Sequence, residues 1–139
     1  MRGDERELIS SRMAAGGNAK LVAVVDDDEA FRAALQRLLK SAGFSVRSFA
    51  SAQDFLDCGQ QHEIGCLIAD IRMPGMSGLD LQAELNAGHC QIPTIFMTAH
   101  GDEKLRLQAM RGGAVKFLAK PFDGAMLLES VRVALELEG

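Results

Sequence analysis

The chain has no tryptophan and no tyrosine among its 139 residues, which removes the usual intrinsic fluorescence reporter of binding. Cysteine is scarce as well. Cys58, Cys66 and Cys90 are odd in number, widely spaced and without any CxxC or metal-type spacing. They argue against a disulfide framework and for reduced, partly buried thiols in a cytosol. No apolar run approaches the ~20 residues of a membrane-spanning helix, so no membrane partner is expected. The N-terminus carries Arg2, Asp4, Glu5, Arg6 and Glu7 but no apolar core of a signal peptide, which argues against secretion. Positive charge is not in excess either. At a net charge of −4, direct binding of nucleic acid by this chain is not expected, because nonspecific affinity comes from Lys and Arg neutralising phosphates.

What is present describes a globular protein. Hydrophobic residues make up 47% and charged residues 24%, enough for one real core in a single domain. Residues 1–19 show no periodic pattern, and Ala14-Ala15-Gly16-Gly17-Asn18 reads as a flexible lead-in. The folded unit is therefore expected over residues 20–139.

From Leu21 a rhythm sets in. Leu21–Val25 is a continuous apolar run, as in a strand covered on both faces, and it ends at Asp26-Asp27-Asp28. Phe31, Leu35, Leu38 and Leu39 follow at helical spacing, with Gly43 at the helix end. Phe44–Ser48 is the second expected strand, and Ser51–Asp57 a short helix with Ser51 as its N-cap. The third strand, Cys66–Ala69, runs into Asp70 and breaks at Pro74 and Gly75. Ser77-Gly78-Leu79-Asp80 opens the next helix. Ile92–Met97 is the fourth expected strand, ending at Thr98-Ala99-His100, and a helix through Leu105, Ala109 and Met110 stops at Gly112-Gly113. Ala114–Leu118 is the fifth, running to Lys120-Pro121, and a last helix carries Leu128, Val131 and Leu135. Strands and helices in alternation imply an α/β fold: a doubly wound, five-stranded parallel sheet with helices on both faces.

In open parallel sheets, ligands bind beyond the carboxyl ends of the strands. That rim collects Asp26 and Asp27 from the first strand, Asp70 from the third, Thr98 from the fourth and Lys120 from the fifth. Carboxylates about 4 Å apart repel by roughly 4 kcal/mol per pair at an effective dielectric near 20, so such a cluster holds a proton or a cation. Oxygen-only ligation suits Mg²⁺, and an amine and a hydroxyl opposite it suit phosphoryl oxygens. A carboxylate can itself be the nucleophile and become an aspartyl phosphate. Each residue alone has a plainer reading: Asp28 as a helix N-cap, Thr98 as an ordinary strand end, Lys120 as a solvated side chain. It is their order at successive strand ends that argues for one site.

The same residues resemble the receiver domain of two-component response regulators over about Lys20 to Glu136. The match lies in the apolar strand before Asp26-Asp27, in Asp70-x-Arg72-Met73-Pro74-x-Met76-Ser77-Gly78, in Thr98-Ala99 and in Lys120-Pro121-Phe122. Thr98-x-His100-Gly101-Asp102 and Gly113-Ala114-Val115-x-Phe117 resemble the FixJ-type branch in particular. The resemblance implies the CheY-like (flavodoxin-like) strand order 2-1-3-4-5. It implies Asp70 as acceptor of a phosphoryl group from a sensor histidine kinase or a phosphotransfer protein. Mg²⁺, for which Mn²⁺ can substitute, would be held by Asp26, Asp27, Asp70 and the backbone carbonyl of Arg72. Lys120, after which the family commonly has a cis Lys-Pro bond, would bind the phosphoryl oxygens. Thr98 would move towards the phosphoryl group and Phe117 would turn inward, reshaping the face of the fourth helix, fifth strand and fifth helix. That face could also carry a homodimer. Ala99 leaves the approach to Asp70 open, and Arg72 and His100 occupy positions that tune the lifetime of the phosphate. The implied role is a cytoplasmic signalling domain controlling a transcriptional effector or partner, not an enzyme beyond slow self-dephosphorylation. A DNA-binding helix-turn-helix domain normally follows in this branch; its absence here is compatible with an excised domain or a stand-alone regulator.

Two rivals remain at this level. A haloacid dehalogenase-like phosphatase would use Asp26 as nucleophile and Asp28 as general acid, but it lacks a cap domain and leaves Asp70 without a task. A receiver-like docking module that never takes phosphate would have no use for the complete set of site residues.

Overall fold

Two runs of apolar residues, buried on both sides, form the middle of the sheet in the computed structural model, which describes residues 21–99 and 103–138. They are β1 (Leu21–Val25) and β3 (Ile64–Asp70), and all seven residues of β3 are buried. The expected lead-in and His100 lie outside the described residues. β2 (Ser45–Phe49), β4 (Thr94–Thr98) and β5 (Lys116–Ala119) complete a five-stranded sheet in the order β2-β1-β3-β4-β5, with every pairing parallel. Between them run α1 (Glu29–Ser41), α2 (Ala52–Asp57), α3 (Gly78–Ala87) and α4 (Glu103–Arg111), and α5 (Gly124–Glu138) follows β5. The α/β class is the one expected from the alternation of strands and helices, and the strand order 2-1-3-4-5 is the one the resemblance implied.

Alternation along the strands divides the core in two. Val22, Val24, Ile68, Ile95 and Met97 pack with Leu35 and Leu39 of α1 and Leu127 and Val131 of α5. Ala23, Val25, Leu67, Ala69 and Phe96 point the other way, to Phe55 of α2, Leu81 and Leu85 of α3, and Ala109 of α4. Phe55 and Phe96 are wholly buried, each burial worth about 1.5–3 kcal/mol. Of the residues that mark the fourth helix in the sequence, Ala109 is buried and Met110 is exposed.

Local signals set the helix ends. The Asp28 carboxylate accepts the Phe31 N–H at 3.1 Å and caps α1, as its plainer reading required. Ser51 caps α2 by accepting the Asp54 N–H at 3.0 Å. Ser77 and Asp80 exchange hydrogen bonds in a capping box at the start of α3.

Several strand starts differ from expectation, two of them for the same reason. The Phe44 N–H donates to Leu39 O at 3.1 Å and the Ala114 N–H to Ala109 O at 3.1 Å. Both residues are thus bound into Schellman closures of the preceding helices, and the strands begin later, at Ser45 and Lys116. In the second closure Gly113 adopts φ +103°, a conformation that favours glycine. The fourth strand starts at Thr94, after Pro93, although the Pro93 carbonyl still accepts the Leu67 N–H at 2.9 Å. The third begins earlier, at Ile64, behind an unexpected 3₁₀ turn at Gln61–Glu63.

Candidate functional site

The carboxyl ends of β1 and β3 are neighbours, because Val25 pairs with Ala69. Asp26 and Asp70 therefore emerge side by side, 2% and 8% exposed, with Asp27 exposed at the rim. Ligand oxygens of Asp26, Asp27 and Asp70 all lie within 4.8 Å of one another. The Lys120 ammonium, arriving from the end of β5, donates to Asp26 Oδ2 at 2.8 Å and to Asp70 Oδ2 at 3.3 Å. The Lys120-Pro121 peptide bond is cis.

Main-chain groups orient both buried acids. The Asp28 N–H donates to Asp26 Oδ1 at 2.9 Å, and the Arg72 N–H donates to Asp70 Oδ1 at 3.2 Å. Burial pushes the Asp70 carboxyl above the usual aspartate range; attraction from Lys120 pulls it down, Asp26 raises it again, and the Arg72 N–H lowers it. For Lys120, burial pulls the ammonium down, but hydrogen bonding and attraction by Asp26, with Asp70 adding to both, leave it above the ordinary lysine value. The amine is thus a held cation.

The remaining expected residues fall around this centre. Thr98 is fully buried at the end of β4, and the Lys120 N–H donates to its carbonyl at 2.8 Å. Phe117, paired with Phe96, is half-buried against the α2–α4 side of the core. Two residues along from Phe96, Thr98 projects to that same side. Ala99 is exposed just beyond β4, and Arg72 is exposed two residues past Asp70. His100 lies outside the described residues.

Three contributors were given no part in the site by the sequence. Arg32, on α1, donates from Nη1 to the Asp26 carbonyl at 2.7 Å and braces the turn that carries two of the acids. Lys120 Nζ sits 4.1 Å from the centroid of the Phe31 ring, and the Phe122 ring meets Phe31 edge-on at 5.5 Å. Their spacing marks Phe31 as a helix-face residue and nothing more. The available signal is its offset of one helical turn from Asp27, which puts it over the strand ends once α1 starts at Glu29.

The donor set fits a hard cation. Its ligand atoms are all carboxylate oxygens, and 4.8 Å is close to the ~4.2 Å across two Mg–O bonds. The phosphatase alternative fares worse, since Asp28 spends its carboxylate on capping α1 rather than facing the cluster as a general acid.

A family model described as "Response regulator receiver domain" matches residues 22–132. The chain belongs to this family. Among relatives, the transcriptional regulatory protein FixJ of Azorhizobium caulinodans is 48% identical over 114 residues, which are 82% of this chain and 54% of that protein. The response regulator protein TodT of Pseudomonas putida is 45% identical over 119 residues, 86% of this chain and 52% of TodT. Among solved structures, the crystal structure of FixJ-N superimposes with a TM-score of 0.78 at 37% identity, over 86% of this chain and 95% of that one. This receiver domain of two-component response regulators spans about half the length of the curated relatives it matches. As a receiver it is a signalling domain, and its FixJ-like features agree with the relatives found. No described helix is long and apolar enough to cross a membrane.

Proposed function

We propose that residues 20–139 form a phosphoacceptor receiver in which Asp70 takes a phosphoryl group from a phosphohistidine of a sensor histidine kinase or a phosphotransfer protein. A carboxylate oxygen of Asp70 attacks phosphorus, the P–N bond breaks, and the histidine keeps the electron pair. Asp26, Asp27, Asp70 and the Arg72 carbonyl would hold Mg²⁺, or Mn²⁺ in its place, which when bound neutralises charge on the phosphoryl oxygens. Lys120 exchanges its bond to Asp70 for the phosphoryl oxygens while Asp26 keeps it in place. Ala99 leaves room for the incoming group, and the Thr98 hydroxyl bonds it. Phe117 then turns inward, Arg72 and His100 set the phosphate's lifetime, and no catalysis beyond slow self-dephosphorylation follows.

The output would pass through α4, β5 and α5 to a transcriptional effector or partner, with homodimerisation on that face, no nucleic acid bound directly by this chain, and a cytoplasmic location. Exposed large apolar side chains support this choice of face: among the described residues they are Leu107 and Met110 on α4 and Met126, Val133 and Leu137 on α5.

The observation that carries the reading is one ammonium bound to two buried carboxylates at the ends of three strands, with a third acid at the rim. Intact mass after incubation with acetyl phosphate and Mg²⁺ tests it. A single phosphoryl adduct is expected on the wild type and none on Asp70→Asn. No adduct on the wild type, or one that survives in Asp70→Asn, would overturn it.

A further inference from the structure

An ammonium has three N–H donors, and two of those of Lys120 are directed at carboxylates, Asp26 Oδ2 at 2.8 Å and Asp70 Oδ2 at 3.3 Å. The Phe31 ring also lies close, 4.1 Å from Nζ to the centroid. The negative face of an aromatic ring attracts a cation, and more strongly where water is excluded. Here the lysine side chain is 15% exposed. The ring is itself held, because Phe122 abuts it at 5.5 Å with an interplanar angle of 84°.

These partners respond differently to chemistry at Asp70. Once an Asp70 oxygen is joined to phosphorus as an acyl phosphate, the charge it offered Lys120 moves to the phosphoryl oxygens. The quadrupole of Phe31 is unaltered by that change. Asp26, meanwhile, has metal ligation to serve as well as Lys120. Of these three partners, the ring is the one whose interaction does not depend on the state of the site.

We propose that Phe31 is a positioning residue of the phosphoryl-accepting site: its face, steadied by Phe122, keeps the Lys120 ammonium over the gap between Asp26 and Asp70 before and after transfer. This inference rests on the reading of Asp70 as phosphoacceptor. A merely structural Phe31 fills space beside the core formed with α1 and α5, a task leucine performs nearly as well. Phe31→Leu therefore removes the π face with little change of volume or helix propensity, and Phe31→Tyr restores it.

The test uses the whole 139-residue chain as wild type, Phe31→Leu and Phe31→Tyr, with melting temperatures to verify folding. Two quantities are read: the proton shift of the Lys120 ε-methylene group, and the rate of adduct formation from acetyl phosphate and Mg²⁺. The wild type and Phe31→Tyr should show Lys120 ε-protons shielded by the ring, upfield of the other lysines, and matching rates to within about twofold. Phe31→Leu should lose the shielding and react roughly threefold to tenfold more slowly. A wild type that takes up phosphoryl groups while Phe31→Leu keeps both its rate and its Lys120 shift would overturn this inference alone. A wild type that takes up none would overturn the phosphoacceptor reading and this role with it.

Discussion

Gly78 at the start of α3 rests on the main chain of Asp70 at the end of β3. A Cβ at Gly78 would collide with the Asp70 carbonyl oxygen and lie 3.0 Å from Ile71 Cα, while the Gly78 N–H donates to Ile71 O at 2.9 Å. The obstacle is backbone on both sides, so no side-chain rotation relieves it. Gly78→Ala should destabilise the domain by about 1–3 kcal/mol, as overpacking does. It should also displace Asp70. Urea unfolding checks the first claim: with slopes of ~1–3 kcal/mol per molar, the midpoint should fall by about 1 M, and an unchanged midpoint would contradict the contact.

Charge at Asp70 opposes folding when no cation is bound. Burial raises its carboxyl above the ordinary value, so the folded state binds this proton more tightly than the unfolded state. The resulting penalty is full above the folded value. It fades as pH falls through that value and vanishes below the ordinary aspartate value. Asp70→Asn should therefore raise the melting temperature in metal-free buffer at pH 7. Lys120 retains its shorter bond to Asp26. The gain should disappear near pH 3.5; a gain that grows on acidification would have the wrong sign.

Mg²⁺ should stabilise the wild type by mass action. At a concentration tenfold above its dissociation constant the gain is about 1.4 kcal/mol, again a few degrees, and EDTA should reverse it. Asp27 is exposed and belongs to the acid cluster. Asp27→Asn should leave metal-free stability within ~0.5 kcal/mol yet flatten the Mg²⁺ response. Thermal scans at increasing MgCl₂ provide the check, and an undiminished response in the variant would remove Asp27 from the site.

His89 closes α3 in a left-handed conformation, φ 58°, with its N–H on Asn86 O at 3.1 Å and the next N–H, of Cys90, on Leu85 O at 2.9 Å. A non-glycine residue there costs roughly 1–2 kcal/mol, and glycine's extra unfolded-state freedom returns about half of that. His89 is exposed, so little packing is lost. His89→Gly should stabilise the domain by about 0.5 kcal/mol in urea unfolding. A lower midpoint would refute the strain.

Cys66 lies in the core of β3, and burial pushes its thiol up to about 12. Cys58 and Cys90 are half-buried. At pH 8 the native chain should incorporate iodoacetamide at Cys58 and Cys90 and leave Cys66 unmodified until urea is added, because the thiolate is the reacting form. Peptide mass mapping distinguishes the three.

The parts of this molecule legible in the sequence are those where one physical demand acts alone. Strands covered on both faces must be apolar throughout, so Leu21–Val25 and the run into Asp70 announce themselves. Asp28, Ser51 and Ser77 signal helix starts through capping chemistry. Boundaries blur where two demands meet: Phe44 and Ala114 are apolar enough for strands, but their N–H groups are taken by helix ends. The 3₁₀ turn at Gln61–Glu63 is short and polar, with no periodicity to betray it. Within the site, Asp26, Asp27, Asp70, Thr98 and Lys120 are legible as polar residues ending apolar runs. Arg32 and Phe31 are not, since each looks like an ordinary helix residue until α1 is laid across the sheet. Their roles belong to tertiary geometry.

The Lys120–Asp26 contact joins residues 94 positions apart, and the Lys120–Asp70 contact joins residues 50 apart. During synthesis the acids of the first strand leave the ribosome roughly 5–20 s before the lysine that restrains them, at translation rates of about 5–20 residues per second. Over that interval the growing chain holds mutually repelling carboxylates with no ammonium between them. On the phosphoacceptor reading proposed for Asp70, competence would therefore arrive abruptly, when Lys120 emerges and closes the rim. An unfinished polypeptide, however far its first four strands have progressed, would then stay silent.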